Sequence, residues 1–137
     1  MTDFELMAEA VKAREMSYSP YSGFSVGAAL LCADGTVYKG CNIENATFTP
    51  TVCAERTAFF KAVSDGKRDF AAIAITGGIH GETSPFCAPC GVCRQVMAEF
   101  CGRDFKVILG TKDNLQVFSL KEVLPFAFTE NDLKPSE

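Results

Sequence analysis

The sequence predicts an α/β protein with a mixed sheet of about five strands and helices on both faces of that sheet. Segments with the helical spacing of apolar residues alternate with short apolar runs, in the order α-β-β-α-β-α-β-β-α. The chain has 137 residues, of which 47% are hydrophobic, and it contains no repeat or low-complexity tract. This length and composition favour a single globular domain over residues 1–137.

The first elements are a helix and a β-hairpin. An amphipathic helix is predicted from Asp3 to about Ser17, because apolar residues recur there every three or four positions. Residues 25–32 form a nearly continuous apolar run that predicts a strand. The turn sequence Ala33-Asp34-Gly35 connects it to a second predicted strand over 37–43, so the two strands are expected to pair.

The remaining elements follow from apolar runs and from the residues that interrupt them. They are a polar loop over 44–51, a helix from about Cys53 to Asp65, a strand over 70–76, a loop over 77–89, a helix over 91–100, strands over 105–110 and 116–118, and a short helix that Ser119 caps and Pro125 ends. The order of the strands in the sheet does not follow from these patterns.

Charge and hydropathy argue against two classes of partner. Thirteen basic and seventeen acidic residues give a net charge of −4, and the basic residues are scattered. A nucleic acid polymer is therefore an unfavoured partner, and a small neutral substrate is expected. No apolar run approaches the ~20 residues of a membrane span, and the first residues do not resemble a signal peptide. We expect a cytoplasmic protein.

Seven cysteines indicate metal binding or catalysis, since an odd number in a reducing compartment does not favour a disulfide framework. Three of them lie in two short motifs at predicted helix starts, Cys53-Ala54-Glu55 and Pro89-Cys90-Gly91-Val92-Cys93. Helix N-termini stabilise thiolates. Three thiolates would bind Zn²⁺ and leave the fourth tetrahedral position open for water, which is typical of catalytic zinc.

Glu55 follows the first cysteine directly and is not needed as a ligand. A carboxylate beside a zinc-bound hydroxide can carry protons while the hydroxide attacks C4 of a pyrimidine, and this combination is the signature of zinc deaminases. We assign Glu55 as the catalytic proton shuttle. Arg56 is assigned to charge tuning, because three thiolates give the zinc centre a net negative charge and a guanidinium does not deprotonate.

The other cysteines and the single histidine leave alternatives open. Cys87, Cys90 and Cys93 resemble an iron–sulfur run, although Met97 stands where the fourth cysteine would be. Cys87 is also the candidate fourth ligand of a structural zinc module without catalysis. His80 is expected to be a solvated loop residue. Packing roles are expected for the remaining cysteines, Cys32, Cys41 and Cys101.

Four segments together resemble a known family. They are residues 18–30, 40–46, 53–58 and 89–95, the last with the sequence PCGVCRQ. In this order they resemble the small, homotetrameric, zinc-dependent cytidine deaminases, and the resemblance extends over nearly the whole chain. It implies a three-layer α/β/α sandwich with one zinc per subunit. It also implies hydrolytic deamination of cytidine and deoxycytidine to uridine and deoxyuridine, with release of ammonia, in pyrimidine salvage.

The same resemblance assigns residues to substrate binding. Asn42 and Glu44 match residues that bind the ribose 3′-hydroxyl, and Ala46 lies in the same motif. Phe24 matches an aromatic residue that packs on the pyrimidine, and the Ala54 backbone is expected to contact the base edge. Phe128 matches a C-terminal Phe that stacks on the base from a neighbouring subunit, a role that Phe126 could also take. Phe48 stands where the family often has Tyr, which leaves 5′-hydroxyl recognition open.

Two further functions compete with nucleoside deamination. A related deaminase that acts on a cytosine-containing antibiotic would share both zinc motifs, but Asn42, Glu44 and the C-terminal Phe favour a nucleoside. A deaminase of nucleic acid polymers would need a basic strand-binding stripe, which the acidic composition does not supply.

Overall fold

The computed structural model describes residues 1–134 as a series of strands and helices. The α-helices are α1 (Asp3–Arg14), α2 (Ala54–Ser64), α3 (Gly91–Phe100) and α4 (Leu120–Val123), and the strands are β1 (Phe24–Cys32), β2 (Val37–Cys41), β3 (Phe70–Ile79), β4 (Lys106–Gly110) and β5 (Leu115–Ser119). A 3₁₀-helix follows over Glu130–Leu133. Of the predicted domain 1–137, residues 135–137 lie outside the part of the chain that is described.

The five strands form one mixed sheet in the order β2-β1-β3-β4-β5. β1 is antiparallel to both β2 and β3, which confirms the predicted hairpin. β3 and β4 are parallel and are connected through α3, and β5 returns antiparallel to β4. The strands β1, β3 and β4 are therefore flanked on both sides, and β1 and β3 carry most of the buried residues of the sheet.

Helices cover both faces of the sheet. Alternate residues of β3 point to opposite faces, as the two-residue period of a strand requires. Ala72 and Ala74 belong to the core cluster that includes α1, and Ile73 and Ile75 belong to the cluster that includes α2, α3 and α4. The predicted three-layer α/β/α sandwich is confirmed, and we call its two sides the α1 face and the α2/α3 face.

Two glycines allow helices to lie directly on the sheet. A Cβ atom at Gly40 of β2 would come within 2.6 Å of the backbone nitrogen of Ala58 in α2. A Cβ atom at Gly27 of β1 would come within 2.5 Å of the backbone nitrogen of Arg14 in α1. Because Gly40 brings the first turns of α2 against β2, it also determines where the residues at the start of α2 lie.

Several predicted boundaries were wrong. β3 continues to Ile79 instead of ending at 76, because Gly77 and Gly78 pair with β1. The sequence did not indicate this extension, since glycine is uncommon in strands. α1 ends at Arg14, short of Ser17, and β2 ends at Cys41, short of 43. β5 is longer than predicted, and the 3₁₀-helix was not predicted.

In residues 1–134 there is no helix of the length and apolar character that a membrane crossing requires.

Candidate active site

Three thiol groups meet where α2 and α3 begin. Cys53 immediately precedes α2, Cys90 immediately precedes α3, and Cys93 lies in the first turn of α3. The Sγ atom of Cys90 is 3.4 Å from that of Cys53 and 3.3 Å from that of Cys93. All three Sγ atoms lie within 4.8 Å of one another. The two cysteine motifs predicted from the sequence are thus adjacent in the fold.

Helix starts and a guanidinium favour negative charge at this cluster. Cys53 is the N-cap of α2, and the Cys90 sulfur accepts a hydrogen bond from the Cys93 backbone N–H at 3.5 Å. The Arg56 guanidinium donates to the Cys53 sulfur at 3.5 Å. Hydrogen bonds from the Cys93 thiol and from Arg56 lower the pKa of Cys53 to about 5. The pKa of Cys93 is raised, because its proton is held in the hydrogen bond to Cys53.

The donor set fits zinc. Three convergent thiols are soft donors that suit Zn²⁺, and the neighbouring positive charge of Arg56 compensates their negative charge. Cys53, Cys90 and Cys93 are the only group of metal-competent side chains within residues 1–134, and Cys87 is not part of it. A four-thiolate structural site and an iron–sulfur run are therefore not favoured. Zinc bound to these three residues would supply Lewis acidity toward a water molecule.

Glu55 is a buried carboxyl group beside the thiol cluster. Only 4% of its surface is exposed, and its neighbours along the chain are Ala54 and Arg56. Burial raises the pKa of Glu55 to about 7, and the negative charge of Cys53 acts in the same direction. A group with this pKa can both accept and donate a proton near neutral pH.

A cavity of about 250 Å³ opens onto the cluster. It is lined by Cys53 and Cys90 and by predicted site residues, namely Phe24, Asn42, Glu44, Ala54 and Glu55. Val26 and Cys87 also line it, and neither was predicted to do so. Burial raises the pKa of Cys87 to about 11, so this thiol is neutral near pH 7.

The Asn42 side chain is fixed against β1. Its Nδ2 atom donates to the Phe24 carbonyl at 2.8 Å, and its Oδ1 atom accepts from the Val26 N–H at 2.9 Å and from the Ser17 hydroxyl. An amide Nδ2 carries two N–H groups. Asn42 therefore has one N–H group left for a ligand, and its orientation is set by the strand.

The Glu44 carboxylate is held by the loop before β1. Its Oε1 atom accepts from the backbone N–H groups of Tyr21 and Ser22 at 2.9 and 3.1 Å, and its Oε2 atom accepts from the Ser22 hydroxyl. The hydrogen bond from that hydroxyl lowers the pKa of Glu44. Glu44 is thus a fixed acceptor at the cavity wall, with lone pairs on Oε2 still free for a ligand hydroxyl.

Two predicted substrate residues do not line this cavity. Ala46 is exposed in the loop after Glu44, and Phe128 is 59% exposed near the C-terminus. Phe48 lies outside as well, and its ring contacts Tyr21 edge-on at a centroid distance of 6.2 Å. Phe48 and Tyr21 border a second, adjoining cavity of about 420 Å³, which Glu44 also lines.

Sequence reasoning did not assign a role to Arg94, which connects the second cysteine motif to the C-terminal segment. Its Nε atom donates to the Pro89 carbonyl at 2.8 Å, and its Nη1 atom donates to the Val123 carbonyl at 2.6 Å. The neighbouring Gln95 donates to the Phe128 carbonyl at 2.7 Å. The position of both residues directly after Cys93 was the available signal, and the structure shows that they anchor the segment that carries Phe128.

Comparisons with known proteins agree with this geometry. The family model for the cytidine and deoxycytidylate deaminase zinc-binding region matches residues 1–111. The chain is 53% identical over 130 residues to a cytidine deaminase of Sporosarcina psychrophila. The aligned region covers 94% of this chain and 93% of the relative.

Solved structures give the same assignment. The 1.6 Å crystal structure of cytidine deaminase from Burkholderia pseudomallei has a TM-score of 0.85 at 47% identity, covering 93% of this chain and 100% of that chain. The crystal structure of cytidine deaminase from Mycobacterium tuberculosis has a TM-score of 0.76 at 36% identity, covering 93% of this chain and 98% of that chain. The chain therefore belongs to the family of zinc-binding cytidine and deoxycytidylate deaminases.

Proposed function

We propose that this protein is a zinc-dependent hydrolase that deaminates cytidine and deoxycytidine to uridine and deoxyuridine and releases ammonia. The observation that carries this proposal is the buried carboxyl group of Glu55 next to three convergent thiols, at the end of a cavity that also holds Asn42 and Glu44. Such a cavity provides a metal-binding end for the chemistry and a polar end for a sugar.

Glu55 moves the protons of the reaction. Its carboxylate accepts a proton from the attacking water and delivers it to N3 of the pyrimidine, and the second water proton passes by the same route to the departing amine. A pKa raised to about 7 by burial suits this exchange, because neither protonation state is strongly favoured near neutral pH.

Cys53, Cys90 and Cys93 hold the single zinc ion of each subunit in this proposal. Arg56 donates to the Cys53 sulfur and lowers the negative charge on the donor set. The N-termini of α2 and α3 act in the same direction, since the positive ends of both helix dipoles point at the sulfurs.

The sugar and the base are bound by groups that the fold has already fixed. Glu44 accepts, and the free N–H group of Asn42 donates, at the ribose 3′-hydroxyl. A free base would leave both groups unpaired and bind poorly. Phe24 packs on the pyrimidine, and the backbone of Ala54 contacts the base edge. Ala46, which is exposed in the loop after Glu44, is assigned to substrate binding in the same proposal.

The active enzyme is proposed to be a homotetramer in which Phe128 of one subunit stacks on the base bound to another. The exposed position of Phe128, outside the cavity of its own protomer, supports this assignment. A cytoplasmic location and a role in pyrimidine salvage complete the proposal. The seven cysteines, all within the described residues, form no disulfide with one another, which is consistent with a reducing compartment.

A deaminase of cytosine-containing antibiotics is not favoured, since the similar proteins are named cytidine deaminases.

The proposal is tested by the loss of cytidine absorbance on adding zinc-loaded protein. We expect Glu55→Gln to lower kcat by about 10²–10⁴-fold, the usual contribution of a general acid–base group. The matched control is Glu15→Gln, a change at an exposed glutamate beyond α1, which should keep full activity. Full activity in Glu55→Gln would remove this carboxyl from the mechanism.

A further inference from the structure

A third cavity, lined mainly by polar side chains, lies on the α1 face, away from the thiol cluster. It has a volume of about 410 Å³ and is lined by side chains of α1, β3, the loop after β3 and the turn after β4. The lining includes Arg14, Thr76, Thr83, Thr111 and Lys112. None of these residues takes part in the proposed deamination.

Thr76 carries a buried hydroxyl group without a partner. It is 1% exposed, and its Oγ1 atom makes no hydrogen bond to any described residue. Strand alternation places Thr76 on the α1 face with Ala72 and Ala74, so the hydroxyl lies beneath this cavity. A buried hydroxyl left unpaired is costly, and one in a native protein calls for a missing partner.

The hydroxyl oxygens of two further threonines already accept hydrogen bonds from the protein. The Thr83 oxygen accepts from Nη1 of Arg14 at 2.9 Å. The Thr111 oxygen accepts from the backbone N–H groups of Asp113 and Asn114 at 3.3 and 3.2 Å. Within residues 1–134 neither hydroxyl donates a hydrogen bond, so each has a proton to offer to an acceptor.

The charge of the cavity is positive although the protein is acidic. Arg14 and Lys112 contribute two positive charges and Asp113 contributes one negative charge. The Lys112 ammonium forms no ion pair with the described residues. Arg14 is fixed by hydrogen bonds to Ser25 and to the Gly78 carbonyl, and one N–H group of its Nη1 atom remains free.

We propose that this cavity binds a phosphate group. The hydroxyls of Thr83 and Thr111, a guanidinium N–H and an ammonium line it above the buried Thr76 hydroxyl. An oxyanion with several acceptor oxygens is the ligand that satisfies such a set of donors. The site is separate from the nucleoside cavity, because α1 and the helices that hold the thiols lie on opposite faces of the sheet.

Calorimetric titration of the zinc-loaded protein with inorganic phosphate, at an ionic strength fixed with sodium chloride, tests the proposal. We expect one phosphate per protomer, displaced neither by cytidine nor by uridine. Thr76→Val and Lys112→Gln should each weaken binding by at least about tenfold, the cost of a lost hydrogen bond to a charged group. Lys121→Gln, at an exposed lysine of α4, should leave binding unchanged.

Thr76→Val also separates a binding role from a structural one. Without phosphate this variant should unfold at the same or a higher temperature than the parent protein, because it removes an unpaired buried hydroxyl, and cytidine turnover should not change. A parallel titration with ATP distinguishes two sources of the phosphate group. If the ligand is a nucleotide, ATP should bind more tightly than inorganic phosphate. Absence of binding in both titrations, or equal binding by the parent protein, Thr76→Val and Lys112→Gln, would overturn the proposal.

Discussion

The thiol cluster and the C-terminal aromatic segment, residues 124–128, differ in how many of their contacts are made within one protomer. At the thiol cluster, Cys93 is buried and every predicted ligand lies within hydrogen-bonding range of another. In the C-terminal segment, Phe128 is more than half exposed, although its carbonyl accepts a hydrogen bond from Gln95. One region is assembled by the fold of a single chain, and the other presents an aromatic ring to its surroundings.

This difference suggests a separation in the proposed homotetramer, where metal binding and substrate enclosure would depend on different parts of the molecule. The thiols are positioned by two helix starts that pack on one sheet, so a single folded protomer is enough to hold zinc. In the proposed homotetramer, the aromatic residues of the C-terminal segment act on a substrate that is bound in the cavity of another subunit. Changes in the first region should therefore remove the metal, and changes in the second should weaken catalysis while the metal stays bound.

The largest effect is expected for Cys90→Ser. Loss of one of three thiolates should lower the zinc content well below one ion per protomer. It should also reduce kcat/KM by more than about 100-fold, since loss of a residue that only hydrogen-bonds to a metal ligand already costs about 10–100-fold. Cys101→Ser is the matched control, because Cys101 lies outside the metal-competent group and burial raises its pKa to about 12. Metal analysis and initial rates measure both variants. Zinc retained at one per protomer in Cys90→Ser would contradict the assignment.

A smaller effect is expected for Phe128→Ala. Loss of a ring that stacks on the base should reduce kcat/KM by roughly 5–150-fold, which corresponds to ~1–3 kcal/mol of stacking energy. The zinc content should not change. Phe126→Ala is the companion variant, since Phe126 is also exposed and lies two residues away. If Phe126→Ala alone lowers activity, the stacking role belongs to Phe126; if neither variant does, this segment does not contact substrate.

The smallest effect is expected for Phe48→Tyr. Phe48 borders the cavity next to Glu44 and lacks a hydroxyl group. A tyrosine there should add a hydrogen bond of about 0.5–1.5 kcal/mol to the sugar and lower KM for cytidine by roughly 2–10-fold. 5′-Deoxycytidine, which has no 5′-hydroxyl, is the control substrate and should show no change. An equal gain with both substrates would mean that the new hydroxyl acts elsewhere.

The two regions also differ in what the sequence could predict. The convergence of Cys53, Cys90 and Cys93 was predictable, because both motifs stand at helix starts and share one metal chemistry. The confirmed three-layer fold followed from the resemblance and from the alternation of helices and strands. The catalytic and substrate-binding roles remain predictions.

Features that depend on distant partners were not predictable. The strand order and the extension of β3 through Gly77 and Gly78 depend on pairing with β1. The support of Glu44 by the backbone of Tyr21 and Ser22 and the cavity around Thr76 arise from residues far apart in sequence. No local pattern contains that information.

Zinc K-edge X-ray absorption on the purified protein is the most direct measurement of the coordination on which deamination depends. Three sulfur neighbours and one lighter oxygen or nitrogen neighbour are predicted, and the light neighbour should respond to a bound uridine-like inhibitor. Four sulfur neighbours would leave no position for water and would contradict the catalytic assignment.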